Sequence, residues 1–396
     1  MLNLIFTALC FAGAQTLVPP DNDFATYSPI TFTTFDGIPM QGHLAIPRNS
    51  KAPVPAVLLL VGSGHGDRYE DVPGRVTADG KDALLFKPIE TELVKRGIAV
   101  LTYDKRGIHP TDNTFSAHTV NDSEWSTVSA NSLAQDALQA FDILAKQPQV
   151  DVTRLGVLGH SEGTILALKV AEQRPTQVSQ MFLMGMVGRS MLEIGSYQAV
   201  FDQMRYFTAI DANGDGYIDQ DEFTLATSSD SVLASELPPW TVLLSAGDKT
   251  SDGKISYQEF HYVLETQLRQ GISAIYDTSQ PWPISQEPRA WYQEYFAEGD
   301  YFAREEKFCA KIHLFQGQID IQTPFEDALR ITDECAAAKT PLASFLSYAN
   351  EGHGFSPRIG FKNLRDTIGP IDPQLAIDIG VEAAKAWIVM PQLTLK

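Results

Sequence analysis

A serine between two glycines is the first feature of this sequence that suggests covalent chemistry. The run Gly159, His160, Ser161, Glu162 and Gly163 follows a short apolar stretch and precedes a helical pattern. A strand, a sharp turn and a helix in this order expose the serine hydroxyl at a strained position, where neighbouring side chains would collide with the strand or the helix. Ser161 is therefore predicted to be a nucleophile.

A serine hydroxyl is a poor nucleophile at neutral pH, so it needs a histidine within hydrogen-bond reach and an acid that orients the histidine. Downstream, Asp320 follows a buried strand pattern, and His353 stands between two glycines after the next strand pattern. Loops that follow parallel strands meet at the carboxyl edge of the sheet, where ligands bind in open α/β folds. We predict that Asp320 is the acid and His353 the base.

Two backbone N–H groups should stabilise the negative oxygen that develops on a substrate carbonyl. One is predicted to come from Glu162, the residue after the nucleophile. The other is predicted to come from the glycine-rich loop at residues 62–66, where the backbone can approach a ligand closely. Gly64 is the preferred donor in that loop, and Ser63 is the alternative.

The elements that must position these residues read as short apolar strands alternating with helices. The alternation extends from Ala56 to Met186 and resumes from Lys311 to Trp387. It is typical of a mostly parallel sheet with helices on both faces, so the fold class is predicted to be α/β. About 120 residues separate the two halves, which is too long for a structureless loop and predicts an inserted domain.

These motifs resemble the α/β-hydrolase superfamily. The resemblance is carried by Val61 to Arg68, Tyr103 to Gly107, the Ser161 turn, Asp320 and His353, and it covers nearly all of the chain outside the insertion. Within the superfamily, the sequence is similar to bacterial esterases on the dienelactone-hydrolase-like side. The resemblance implies hydrolysis of an ester or thioester through an acyl-serine. It also implies that the insertion is a cap over the active site.

Two acidic loops in the insertion resemble a pair of EF-hands. Calcium takes about six to eight oxygen ligands, and a twelve-residue loop supplies them with a glycine at its sharp turn. The first loop offers Asp211, Asn213, Asp215, Tyr217 through its carbonyl, Asp219 and Glu222. The second loop offers Asp248, Thr250, Asp252, Lys254 through its carbonyl, Ser256 and Glu259. Calcium is therefore the predicted cofactor, and both loops are predicted to bind it.

The spacing of the loops leaves room for two helices between them, with outer helical segments at Tyr197 to Ile210 and Phe260 to Arg269. Thr250 and Ser256 stand where the first loop has Asn213 and Asp219, so the second loop has fewer charged ligands and the first site is predicted to bind calcium more tightly. A calcium ion that acts as a structural brace is preferred over a calcium switch, because calcium outside the cell is usually too concentrated to act as a signal.

The predicted organisation has four segments. They are a signal peptide at 1–14, a first part of the core at 15–189, a cap at 190–308 with the EF-hand pair at about 197–270, and a second part of the core at 309–396. The first segment is apolar, too short to span a bilayer, and ends in the small residues Ala12, Gly13 and Ala14. Cleavage after Ala14 predicts an exported protein, periplasmic or extracellular, with a cytosolic location as the alternative.

The remaining composition narrows the possible partners. The formal net charge of −19 repels nucleic acid and anionic lipid. After cleavage two cysteines remain, Cys309 and Cys335, which could form one disulfide or stay as two thiols. The sequence therefore predicts a serine hydrolase that acts on carboxylic esters. The alternatives are a peptidase or acyl-aminopeptidase on the same fold, and a calcium-responsive binding protein.

Overall fold

The computed structural model describes residues 17–48, 50–76, 82–282, 287–301, 309–338, 342–356 and 370–387. The signal peptide predicted at 1–14 lies outside these ranges. No helix within them is both long and apolar enough to cross a bilayer.

The strands of the described ranges are, in chain order, β1 (Ala25–Thr33), β2 (Pro39–Pro47), β3 (Val54–Leu60), β4 (Asp71–Val76), β5 (Asp82–Leu84), β6 (Ala99–Tyr103), β7 (Ile108–Pro110), β8 (His118–Val120), β9 (Val150–His160), β10 (Val178–Met184), β11 (Tyr217–Ile218), β12 (Ile255–Ser256), β13 (Lys311–Gly317) and β14 (Leu342–Tyr348). The helices are α1 (Phe86–Lys95), α2 (Asp122–Trp125), α3 (Ala130–Ala145), α4 (Glu162–Gln173), α5 (Met191–Ser196), a π-helical segment (Tyr197–Phe201), α6 (Met204–Ile210), α7 (Gln220–Ser229), α8 (Ser231–Glu236), α9 (Trp240–Gly247), α10 (Tyr257–Tyr276), α11 (Arg289–Ala297), α12 (Phe325–Ala338) and α13 (Pro373–Trp387).

Eight of these strands form one sheet in the order β1-β2-β6-β3-β9-β10-β13-β14. Strand β2 pairs antiparallel with β1 and β6, and the pairs from β6 to β14 are parallel. Along β3 the side chains alternate between two cores, since Leu58 packs with α3 and α4 whereas Val57 and Leu59 pack with α1 and α13. The predicted α/β class is confirmed. The sheet brings the loops after β3, β9, β10, β13 and β14 to one edge.

The chain between β10 and β13 is helical in its described part and has its own apolar cluster. Phe207, Ile218, Phe223, Ile255 and Phe260 are buried in this cluster. Strands β11 and β12 pair antiparallel, with Ile218 opposite Ile255, so the two acidic loops lie side by side. A helical insertion carrying paired loops is what the sequence predicts.

The insertion differs from the prediction in one element. Three helical segments, α7, α8 and α9, lie between the acidic loops, whereas the spacing predicted two. Asp230 is the reason, because it adopts an extended conformation after α7 and its carboxylate accepts the N–H of Leu233 in the first turn of α8. An aspartate in this position stops one helix and caps the next.

Cys309 and Cys335, whose pairing the sequence left open, do not form a disulfide with each other. Cys309 is exposed and Cys335 is buried. Of the two alternatives, the structure has two separate thiols, and only Cys335 is enclosed in the core.

Candidate active site

Ser161 occupies the sharp turn between β9 and α4. Its φ of 54° lies in the left-handed region, which is unusual for a residue with a side chain. A Cβ atom at Gly159 would overlap Gly163, and one at Gly163 would overlap the carbonyl of Leu60. The glycines on either side of the serine are therefore required by the close approach of strand and helix, as the sequence indicated.

Asp320 is held by hydrogen bonds to both carboxylate oxygens. Oδ1 accepts the backbone N–H groups of Gln322 and Thr323 at 2.8 Å each, and Oδ2 accepts the Thr323 hydroxyl at 2.7 Å and the Gln316 amide at 2.9 Å. Nδ1 of His353 lies 2.9 Å from the same Oδ2. Burial opposes ionisation of this carboxyl, but the contacts with His353 and Thr323 outweigh it and keep the pKa of Asp320 below its ordinary value.

This pairing fixes the proton on the imidazole. A carboxylate at Nδ1 places the ring hydrogen on that nitrogen, so Nε2 is the atom that can accept a proton from a nucleophile. Asp320 and His353 are each only 5% exposed. The ring is thus held in one orientation inside the protein.

The His353 ring lies beside the Ser161 turn. The Ser161 N–H donates to the carbonyl of Met184 at 3.0 Å, and the next residue is Gly185. A Cβ atom at Gly185 would lie only 3.1 Å from Cε1 and Nδ1 of His353. The ring of His160, which precedes the serine, has its centroid 4.7 Å from that of His353. The structure therefore brings the predicted serine, acid and histidine to one edge of the sheet.

The glycine loop after β3 also borders the serine. A Cβ atom at Gly62 would lie 3.1 Å from the Cβ of Ser161. Gly64 has a φ of 87°, and its N–H donates at 2.5 Å to Oε1 of Glu287, a buried carboxyl of the insertion. In this arrangement the N–H of Gly64, the preferred donor of the loop, is already hydrogen-bonded to Glu287. A substrate oxygen would have to displace the Glu287 carboxyl to reach this N–H. Which N–H of the loop binds a substrate stays a prediction.

Glu162, the other predicted amide donor, is the first residue of α4, and its N–H therefore has no partner within that helix. Its side chain joins the core to the insertion. Oε2 accepts from Nζ of Lys105 at 2.8 Å, and Oε1 accepts from Nε1 of Trp291 at 2.5 Å. Burial disfavours the charged ammonium, but Glu162 and then Glu287 outweigh it and raise the pKa of Lys105.

Glu287 is the residue of this site that the sequence did not reveal. Burial raises its pKa to about 7, and nearby Glu162 adds to the rise, whereas Lys105 and the Gly64 N–H oppose it. The Gly64 contact joins residues 223 positions apart. No local pattern marks such a residue, because only the packing of the insertion on the core brings it to the serine.

The first acidic loop is folded tightly around its own carboxylates. Oxygens of Asp211 accept the N–H groups of Gly214, Asp215 and Gly216 at 2.9 to 3.2 Å, and Oε1 of Glu222 accepts from the loop amide of residue 213 at 3.3 Å. Gly216 has a φ of 84°, as the sharp turn requires. Glutamate at the last position thus reaches back to the start of the loop.

The second loop repeats this geometry. Oxygens of Asp248 accept the N–H groups of Ser251, Asp252 and Gly253 at 2.7 to 3.2 Å, and Glu259 reaches back to the amides of residues 249 and 250. In the described ranges no three His, Cys, Asp or Glu side chains converge as a metal site. The types and order of the oxygen donors in both loops nevertheless fit calcium.

Two families match overlapping parts of the chain. Residues 21–216 match the acetyl xylan esterase family (AXE1), and residues 202–265 match the EF-hand domain pair. Among curated proteins, esterase EstD of Thermotoga maritima is 29% identical over 221 residues, which cover 54% of this chain and 44% of EstD. The chain therefore spans less than half of the length of that relative.

Solved structures with a similar course of the chain include an esterase of Pyrococcus furiosus, with a TM-score of 0.46, 13% identity, and coverage of 95% of this chain and 100% of that one. Est1E of Butyrivibrio proteoclasticus has a TM-score of 0.44 and 11% identity, covering 92% of this chain and 98% of its own. This chain thus resembles the acetyl xylan esterase family over residues 21–216 and the EF-hand domain pair over residues 202–265, and it carries a serine at the elbow after β9 of a mostly parallel eight-stranded sheet.

Proposed function

We propose that this protein is a serine hydrolase that cleaves carboxylic esters through an acyl-serine intermediate. The observation that carries the proposal is the buried Asp320–His353 pair, joined at 2.9 Å beside the strained Ser161 turn. Its support from known proteins is the acetyl xylan esterase match and the similarity to EstD. These favour an ester over an amide, and short acyl esters such as acetates are the first substrates to test.

In the proposed reaction, Nε2 of His353 takes the hydroxyl proton of Ser161 as the serine oxygen attacks the ester carbonyl carbon. The N–H of Glu162 and one N–H of the glycine loop, from Gly64 or Ser63, stabilise the oxyanion. The imidazolium returns its proton to the leaving alcohol. A water molecule, deprotonated by the same histidine, then attacks the acyl carbon, and the imidazolium protonates the serine oxygen as its bond to that carbon breaks and the carboxylic acid leaves.

We further propose that both acidic loops bind calcium and that the ions brace the insertion. Asp211, Asn213, Asp215, Tyr217, Asp219 and Glu222 would hold the first ion, and the corresponding residues from Asp248 to Glu259 the second. Calcium would neutralise carboxylates that crowd each loop and would fix the helices at both ends of it. Export, with cleavage after Ala14, is part of the same proposal because a calcium brace suits a calcium-rich compartment.

The decisive experiment replaces the nucleophile. Ser161→Ala should abolish hydrolysis of a chromogenic acetate and labelling by a fluorophosphonate, while the melting temperature stays within about 2 °C of the wild type. Ser28→Ala, which changes an exposed serine on β1, should behave as the wild type in every assay. Labelling or turnover that survives in Ser161→Ala would refute the assignment. Peptide anilides hydrolysed faster than esters would favour the peptidase alternative.

A further inference from the structure

A second buried histidine–carboxylate pair, formed by His160 and Glu70, lies next to the Ser161 turn. Nδ1 of His160 is 2.6 Å from Oε1 of Glu70, and the two side chains are 5% and 10% exposed. His160 is the residue before Ser161, and Glu70 lies between the glycine loop and β4. The pair therefore connects the nucleophile turn to the loop that borders it.

The remaining polar atoms of the pair extend this connection. Nε2 of His160 lies 2.9 Å from the backbone carbonyl of His353, and Oε2 of Glu70 accepts the N–H of Gly62 at 3.2 Å. The side chains of Glu70 and His160 thus link the glycine loop, the Ser161 turn and the loop that carries His353. Within the described ranges, these contacts join three segments that are far apart in the sequence.

The partners of His160 determine how many hydrogens the pair carries. A carbonyl oxygen only accepts, so Nε2 of His160 must donate to it. Nδ1 faces a carboxyl oxygen at 2.6 Å, and this contact needs a hydrogen as well, either on the ring or on Glu70. The pair therefore holds one more hydrogen than an ionised glutamate and a neutral histidine would.

Another buried pair in the same protein shows the contrast. Nε2 of His43 is 2.7 Å from Oε2 of Glu90, and these side chains are 0% and 1% exposed. Nδ1 of His43 faces the guanidinium of Arg68 at 3.2 Å, which is a donor, so this ring can be neutral. The extra hydrogen is thus a feature of His160 and not of every buried histidine in the chain.

The backbone conformation of Glu70 indicates that the position of its side chain matters for function. Its φ of 56° lies in the left-handed region, which residues with side chains avoid unless the surroundings impose it. The side chain is held by His160 and Gly62, and the Glu70 N–H donates to the carbonyl of Asp67 at 2.8 Å. Strain of this kind collects at sites where one side chain must be aimed accurately.

We propose that Glu70 and His160 are positioning residues for the ester hydrolysis assigned above. Their shared hydrogen keeps the glycine loop, the Ser161 turn and the His353 loop in mutual register. Neither residue touches the substrate in this mechanism. A displacement of about 1 Å at a reacting group lowers the rate about 100-fold, so loss of the pair should reduce kcat and leave KM nearly unchanged.

The test compares two matched substitutions. Glu70→Gln removes the carboxyl that Gly62 and His160 share, whereas Glu90→Gln alters the buried His43 pair, which is hydrogen-bonded to Arg68 and Tyr69. We expect kcat for a chromogenic acetate, and the rate of fluorophosphonate labelling, to fall about 10- to 100-fold in Glu70→Gln and less than about threefold in Glu90→Gln. KM should change by less than about threefold in both variants.

A double-mutant cycle tests whether Glu70 and His160 act together. His160→Gln should match Glu70→Gln in kcat, and the double variant should lose no more than either single variant, because the two residues act as one unit. Additive losses, or a Glu70→Gln variant that behaves as Glu90→Gln does, would overturn the inference. If the wild type hydrolyses no ester, or if its hydrolysis survives in Ser161→Ala, the proposed function itself is refuted.

The wild-type protein offers a second measurement if the variants fail to fold. Nitrogen-15 NMR of the histidine rings should show a hydrogen bound at Nε2 of His160 and a protected hydrogen in the contact with Glu70. Glu70→Asp, which keeps the carboxyl group on a shorter side chain, should recover part of the kcat that Glu70→Gln loses. A His160 spectrum without a protected imidazole hydrogen would contradict the proposal.

Discussion

Asp320 illustrates how one carboxylate combines structural and proposed catalytic roles. Asp320→Asn should leave the turn at Thr323 intact, because an amide oxygen can still accept both backbone N–H groups. The amide no longer holds the imidazole of His353 in the required tautomer, so kcat should fall by about 10³- to 10⁴-fold. Steady-state kinetics and circular dichroism of the variant test this. Asp333→Asn, an exposed change on α12, serves as the control and should keep full activity.

The same residue gives a pH dependence with a defined sign. The pKa of Asp320 is lower in the folded protein than its ordinary value of 3.8, despite burial, because His353 and Thr323 favour the carboxylate. This stabilisation is present above pH 3.8 and is lost as the pH falls through the folded pKa. The melting-temperature difference between wild type and Asp320→Asn should therefore shrink from pH 5 to pH 3. A constant difference would contradict the assigned contacts.

At the scale of elements, the acidic loops differ in charge. The first has carboxylates at Asp211, Asp215, Asp219 and Glu222, whereas Ser256 in the position of Asp219 leaves the second with three. Glu222→Gln should weaken the tighter of two calcium-binding events by more than about tenfold, since contacts to charged groups are worth about 1.5–3 kcal/mol each.

Isothermal titration with calcium chloride, after removal of bound ions by a chelator, measures both binding events. Asp221→Asn changes a neighbouring exposed carboxylate outside the ligand positions and should leave both affinities within a factor of about two. If Glu222→Gln weakens only the looser event, the predicted order of the two sites is wrong.

The short pair of strands β11 and β12 couples the two loops. Ile255 is fully buried and faces Ile218 across this pair, so Ile255→Ala should destabilise the insertion by about 2–5 kcal/mol. It should also weaken calcium binding at both loops. Val242→Ala, at a side chain that is 52% exposed, should change the melting temperature by less than about 1 °C. Calorimetric scans with and without calcium distinguish the two variants.

The strands and helices that the sequence predicted all carry a continuous or strongly periodic apolar pattern. Strands β3, β9 and β13 and helices α3 and α13 bury whole faces in the two cores of the sheet. The ribbons β4–β5 and β7–β8 were missed, because strands of three to six residues are too short to show a period. Helix α8 was missed because a single capping aspartate, and not a loop, separates it from α7.

At the scale of the whole molecule, the sequence could place the serine, acid and histidine but not the contacts between insertion and core. The three residues follow from local patterns and from the rule that parallel strands end at one edge. The bonds from Trp291 to Glu162 and from Glu287 to Gly64 depend on how two folded parts pack. Such contacts leave no periodic trace, and only the structure reveals them.

Because the Glu287 carboxyl is buried against the Gly64 N–H, the stability of the folded protein should depend on pH. Burial raises the pKa of Glu287 from 4.5 to about 7 in the folded protein. A raised pKa means that the favourable contribution is complete below pH 4.5 and is lost as the pH rises through 7. At pH 8 the folded protein holds a buried charge that Lys105 and Gly64 only partly compensate. The wild type should therefore lose stability between pH 5 and pH 8.

Glu287→Gln removes the titrating group and keeps the size of the side chain. Its amide oxygen can still accept from the Gly64 N–H, so the contact between insertion and core persists without the charge. We expect the melting temperature of this variant, at fixed calcium concentration, to fall less between pH 5 and pH 8 than that of the wild type, and to exceed the wild-type value at pH 8. Parallel curves would show that Glu287 does not titrate as a buried acid in the folded protein.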